Sequence, residues 1–133
     1  MELMTKAMIF EGHSAFREIL KHIFRSRFPS VELLEAVNGE KAMEKVGGFL
    51  PDLILIDIHL PDDNALELIQ SIKAHHPEII VILLGSYDLP EYREAASRHG
   101  ADYFMVKESP TGDYFALIES ILSARGLSLK NAT

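Results

Sequence analysis

Five short apolar runs alternate with five amphipathic stretches along this 133-residue chain, and that alternation leaves very few folds open to it. The apolar runs are Ala7–Phe10, Val31–Val37, Leu53–Asp57, Ile79–Leu84 and Tyr103–Val106. Apart from Val31–Val37, which carries Glu32 and Glu35, they are short and nearly unbroken, as strands covered on both faces are. Helix signals fill the gaps. Ser14 is placed to cap a first helix with Phe16, Ile19, Leu20, Ile23 and Phe24 on one face. Asn38 caps a second helix carrying Ala42, Met43 and Val46, and Gly47-Gly48 stops it. Asn64 with Glu67 forms a capping-box-like start to a third, continued by Leu66, Ile69 and Ile72. Asp88 and Pro90 open a fourth, stopped by Gly100. Ser109-Pro110 starts a fifth with Leu117, Ile118, Ile121 and Leu122 on one side, closed by Gly126.

Strand–helix alternation of this kind implies a parallel sheet between two helix layers. Right-handed crossovers leave the doubly wound (βα)5 arrangement with flavodoxin-like strand order 2-1-3-4-5 as the leading topology. No linker, repeat or low-complexity tract divides the chain, so residues 1–133 read as one domain with a short polar tail at 127–133. A chain of this length buries roughly 68% of the surface its unfolded form exposes. With 20 acidic and 13 basic residues the net charge is −7, a poor match to nucleic-acid phosphates or an anionic membrane. There is no cysteine, which removes disulfides, zinc thiolates and thiol catalysis and is compatible with a reducing cytoplasm. The N-terminus lacks a secretory pattern, and Ile79–Leu84 is far shorter than the about 20 residues a membrane span needs.

In such a sheet, ligands bind outside the carboxyl ends of the strands, at the switch point between strands 1 and 3. Glu11 follows the first strand and Asp57 ends the third, so the two carboxylates face one crevice. Gly85-Ser86 and Lys107 border it. Taken alone, Asp57 is either a reactive group or a strand-end carboxylate at a helix entry. Lys107 is either its cationic partner or a surface lysine. His75-His76 point apart on a helix, which suits solvated histidines at a helix C-terminus better than a metal site. Asp62-Asp63 reads as a solvated loop and cap.

The segments MIFEGHSAFREIL, PDLILIDIHLPDDNALELI, VILLGS and HGADYFMVK, in this order and spacing, resemble the receiver domain of bacterial two-component response regulators over nearly the whole chain. HSAFREIL, and a lysine followed by Glu-Ser, are similar to receivers joined to a helix-turn-helix output domain. The resemblance implies a signalling module, not an enzyme, beyond its own phosphorylation and dephosphorylation. It makes Asp57 the acceptor of a phosphoryl group from a sensor histidine kinase or phosphotransfer protein. Lys107 becomes the phosphate partner and Phe104 the aromatic switch residue. Glu11, Asp57 and the His59 backbone carbonyl take the positions that hold Mg²⁺.

Two positions depart from that pattern. Gly12 replaces the second acid of the pair, and Gly85 stands where a threonine or serine bonds the phosphate. Ser86, one residue on, is either a replacement hydroxyl or an ordinary small pocket residue. Without the switch hydroxyl, Phe104 reads better as core packing. Glu11 is either a metal ligand or a partner for Lys107. Mg²⁺ binds oxygen ligands in near-octahedral geometry, so loss of one carboxylate weakens the site. One unit-charge interaction at ~4 Å and effective dielectric ~20 is about 4 kcal/mol, roughly a thousandfold in rate.

The resemblance further implies an interaction surface, with a possible homodimer, on the fourth helix, fifth strand and fifth helix. Tyr92, Tyr103 and Tyr114 are suited to it. Three other readings stay open. A receiver with this altered pocket serves as a phosphorylation-independent binding module. An aspartate-nucleophile phosphatase also uses a strand-end Asp, but wants an acid where His59 stands. A flavin carrier wants a hydroxyl- and glycine-rich loop where EGHSAF lies.

Overall fold

The computed structural model describes residues 5–61, 64–108 and 111–124. Its elements run β1 (Lys6–Phe10), α1 (Ser14–Arg27), β2 (Glu32–Ala36), α2 (Ala42–Phe49), β3 (Leu53–Asp57), α3 (Ala65–His75), β4 (Ile80–Gly85), α4 (Pro90–His99), β5 (Tyr103–Val106) and α5 (Thr111–Ala124). The strands form one five-stranded sheet in the order β2-β1-β3-β4-β5, with every pairing parallel. This is the doubly wound, flavodoxin-like topology expected of five βα units.

The period-2 alternation of strand side chains divides the interior in two. Ala7, Ile9, Leu53, Leu55, Ile82 and Leu84 pack against Phe16, Leu20 and Phe24 of α1 and Tyr114, Ile118 and Leu122 of α5. Met8, Phe10, Ile54, Ile56, Val81 and Leu83 pack against α2, α3 and Ala96 of α4. β3 and β4 are buried along their whole length, while β2 at the sheet edge has Leu34 and Glu35 exposed.

Several helix ends differ from the sequence reading. The N-cap of α1 is His13, not Ser14, and it makes no side-chain cap. A carboxylate takes over instead: the His13 N–H donates to Glu11 Oε2 at 3.0 Å. Ile19, expected on the core face of α1, is 44% exposed. Asn38 does not cap α2. Its Oδ1 closes a local turn by accepting from the Glu40 N–H, and Lys41 in the left-handed region (φ 55°) is the N-cap. Gly47 and Gly48 lie inside α2, which runs on to Phe49 and ends with Leu50 at φ 52°. Leu89, not Asp88, is the N-cap of α4, with Pro90 in its first turn and Gly100 as C-cap at φ 97°. Asn64 caps α3 as expected, its Oδ1 accepting from the Glu67 N–H at 3.2 Å. Asp62-Asp63, Ser109-Pro110, Gly126 and the tail at 127–133 lie outside the described residues.

Candidate functional site

Parallel register brings the strand ends together. Phe10 pairs with Ile56, Asp57 with Leu84 and Gly85 with Val106. Glu11, Asp57, Gly85 and Lys107 therefore meet at one edge of the sheet. The Glu11 N–H donates to Ala36 O, and the Lys107 N–H to Gly85 O, which extends the ladder by a residue on either side of the site.

Lys107 lies between the two acids. Its Nζ is 2.9 Å from each Glu11 oxygen and 3.0 Å from Asp57 Oδ2. Glu11 is fully buried and Asp57 is 4% exposed. Burial, reinforced by the facing Asp57, pushes the Glu11 carboxyl above its ordinary range, while hydrogen bonds from Lys107 and the His13 N–H oppose this. Asp57 Oδ1 accepts from the His59 N–H at 3.0 Å, so one oxygen is oriented by backbone and the other by the ammonium. The crevice above them, about 630 Å³, is lined by Gly12, His13, Ser86 and Pro61 besides Asp57 and Lys107.

Three supporting residues were not read from sequence as parts of this site. Phe16 presents its ring to the Lys107 ammonium at 5.1 Å, a cation–π contact, and meets Tyr114 edge-on at 5.6 Å. Tyr114 is 2% exposed, so it is a core residue and not the interface residue expected. Its hydroxyl donates to the carbonyls of Val106 and Lys107 and so ties α5 to the backbone that carries the ammonium. An aromatic in the first turns of the helix after Lys107 is the signal that identifies it. Pro61 is the third. A Cβ on Gly12 would lie 2.7 and 2.8 Å from the Pro61 ring carbons and 3.1 Å from Val37 O.

Positions 85 and 104 are packed against each other. A Cβ on Gly85 would lie 2.7 and 2.9 Å from the Phe104 ring, so that ring occupies the space of the missing side chain. The Arg93 guanidinium covers Phe104 at 5.2 Å. Ser86 lines the crevice, and His59 is exposed at its rim with its ring against Tyr92. His75 and His76 serve the end of α3: His75 Nδ1 bonds Ser71 O, and His76 stands 3.9 Å from Glu78.

The fold and site define a doubly wound α/β domain whose β3 ends in a carboxylate, facing a lysine just past β5 in a crevice at the topological switch point. The sequence matches the response regulator receiver domain family over residues 7–119, and the chain belongs to that family. It is 32% identical to the transcriptional regulatory protein DegU of Brevibacillus brevis over 121 residues, which is 90% of this chain and 50% of that protein. The chain thus spans about half the length of such relatives. Among solved structures, the signal receiver domain of a DNA-binding response regulator from Colwellia psychrerythraea 34H superposes with TM-score 0.83, at 18% identity over 90% of this chain and 98% of that one. A CheY-like receiver domain from Methanospirillum hungatei JF-1 does so at 0.82, with 22% identity and coverage of 93% and 98%.

The protein is therefore a receiver domain of two-component signal transduction. Receiver domains are generally non-enzymatic signalling modules that interact with histidine kinases or phosphotransfer proteins, and they typically bind Mg²⁺ in an acidic pocket. The residues present here do not fit that ion. An ammonium already contacts both acids, the ring of Pro61 leaves no room for a side chain at position 12, and no group of three or more acids and histidines is placed to hold a metal among the described residues. None of the described helices is long and apolar enough to cross a membrane.

Proposed function

We propose that this chain is a single cytoplasmic receiver unit in which Asp57 accepts a phosphoryl group from the phosphohistidine of a sensor kinase or phosphotransfer protein. The observation that carries this is the Asp57–Lys107 pair, 3.0 Å apart at the foot of an open crevice. An Asp57 carboxylate oxygen forms the new O–P bond, and the P–N bond to histidine breaks with its electron pair leaving on the ring nitrogen. Negative charge gathers on the acyl phosphate, and the Lys107 ammonium lies beside it at low dielectric. The His59 N–H holds the second carboxylate oxygen and so orients the first. Ser86 supplies the hydroxyl nearest in sequence to the position taken by Gly85.

A second reading rests on a specific observation. Lys107 is shared with Glu11, and Phe104 is seated on Gly85, so the charge relay and the aromatic are both engaged before any phosphate arrives. These contacts favour a module that binds its partner whether or not Asp57 is modified. The partner-facing surface is α4–β5–α5, where Tyr103 is 41% exposed, with Tyr87 and Leu89 exposed in the loop that leads into α4, and it is the surface for self-association. An aspartate-nucleophile phosphatase is disfavoured because the residue two beyond Asp57 is the exposed His59, whose backbone, not an acid, meets the carboxylate.

Intact-mass analysis after incubation with acetyl phosphate tests the acceptor. The expected result is one added phosphoryl group in the wild type and none in Asp57→Asn. Modification that persists in Asp57→Asn rules out the assignment. A wild type that stays unmodified favours the constitutive module.

A further inference from the structure

We propose that Lys107 is the resident counter-cation of this pocket, taking the place of a divalent metal, and that Pro61 packed on Gly12 keeps the pocket in that state. The inference rests on the pocket being the receiver's acidic pocket, and not on Asp57 being phosphorylated.

The charges come first. Glu11 and Asp57 are two carboxylates removed from water at one point, 0% and 4% exposed. Buried anions need a cation and hydrogen bonds to persist. Lys107 supplies the cation and a hydrogen bond to Glu11 Oε2, and the His13 and His59 N–H groups bond Glu11 Oε2 and Asp57 Oδ1, while buried Glu11 Oε1 makes no hydrogen bond among the described residues and has the ammonium alone beside it. The Lys107 Nζ lies 2.9 Å from the two Glu11 oxygens and 3.0 Å from Asp57 Oδ2, and the Phe16 ring covers it at 5.1 Å. Tyr114 fixes the carbonyl of the same residue, so the ammonium is delivered from an anchored backbone. A hard divalent ion needs carboxylate oxygens at about 2.1 Å in near-octahedral array. Each of the two acids it would use is already bonded to the ammonium. It would have to displace Lys107 or share the acids with it, against like-charge repulsion.

Position 12 closes the remaining route. The atoms that a Cβ there would strike are Cγ and Cδ of Pro61, at 2.7 and 2.8 Å, with Val37 O at 3.1 Å. These belong to a ring and a backbone, neither of which swings aside as a flexible chain end does. Gly12 and Pro61 therefore form one packed unit. Replacing the glycine by an acid does not by itself rebuild a metal site, because the Pro61 loop must move first. Removing the ring atoms with Pro61→Ala opens that space.

The test is a Mg²⁺ titration without any phosphodonor, followed by amide NMR shifts of Gly12, Asp57 and Lys107 and by thermal unfolding. The wild type and Gly12→Asp are expected to show no saturable shift through tens of millimolar Mg²⁺. Gly12→Asp combined with Pro61→Ala is expected to show saturable binding, at least on the order of tenfold tighter than the limit set by either single variant, a non-additive gain. Lys107→Met leaves the two carboxylates uncompensated, and Mg²⁺ is expected to raise its Tm while leaving that of the wild type unchanged. This last variant decides the question if the double variant fails to fold. Saturable millimolar binding by the wild type, a Gly12→Asp gain equal to that of the double variant, or no Mg²⁺-dependent rise in Tm for Lys107→Met would each overturn the proposal. No phosphorylation is involved, so a failure here leaves the role of Asp57 to its own experiment.

Discussion

Glu11 is the residue whose protonation the pocket most affects. Desolvation by burial, with the facing Asp57 carboxylate adding to it, raises its pKa above the ordinary 4.5, while Lys107 and the His13 N–H pull the other way. The folded chain then holds this proton more tightly than the unfolded chain. The stability this contributes is complete below pH 4.5 and is lost as pH rises through the raised folded value. The unfolding free energy of the wild type minus that of Glu11→Gln should therefore fall with rising pH across that window. Urea unfolding of both proteins at a series of pH values checks this, and a difference that stays level or climbs would refute it. Glu11, Asp57 and Lys107 were legible in the sequence because each directly follows or ends an apolar run, and parallel strands deliver such residues to one edge. The contacts of Pro61 with Gly12 and Phe104 with Gly85 were not legible. They join residues far apart in the chain, and a glycine in sequence does not disclose what fills the space beside it.

At the scale of elements, α2 is where propensity and packing disagree. Gly47-Gly48 reads as a helix stop, yet both residues are helical, and the stop falls on Leu50 in the left-handed region. An added Cβ at either glycine meets nothing within 4 Å, and neither has a positive φ. Each glycine is thus an exposed helix-interior residue that weakens α2 by about 0.5–1 kcal/mol relative to alanine. Gly47→Ala and Gly48→Ala should each stabilise the protein by about that amount, read as a higher urea midpoint with unchanged m. Destabilisation would mean that these glycines end the helix after all. The sequence misplaced this end because local signals set where a helix is easiest to stop. The actual end is set by Val46, buried against the sheet, whose carbonyl accepts the Leu50 N–H at 2.8 Å. Elements with strong period and an explicit cap, such as β3 and the Asn64 start of α3, were legible to the residue.

Across the whole molecule, the question is whether the crevice speaks to the α4–β5 face. The path between them runs through Gly85 and Phe104. The Phe104 ring fills the volume beside Gly85, its far edge 2.7 Å from where a Cβ would stand, and the Arg93 guanidinium of α4 covers the ring. Nothing in this arrangement requires a group on Asp57: the ring is held by the space that a glycine leaves and by a cation from α4. Modifying or neutralising Asp57 should then leave the ring in place, whereas building a side chain at residue 85 should expel it. The colliding atoms are at the outer end of the ring, so the ring can rotate away from residue 85, losing the Arg93 contact. Aromatic ¹H–¹³C spectra of Phe104 and amide shifts along α4 report this directly. Gly85→Thr is expected to move both sets of signals, with a stability loss of about 1–3 kcal/mol from overpacking and ring exposure. Asp57→Asn is expected to perturb only residues lining the crevice. If Asp57→Asn shifted the Phe104 and α4 signals as far as Gly85→Thr does, the crevice would be coupled to that face through some route other than residue 85, and the ring would be a reporter of Asp57 and not a fixed part of the packing.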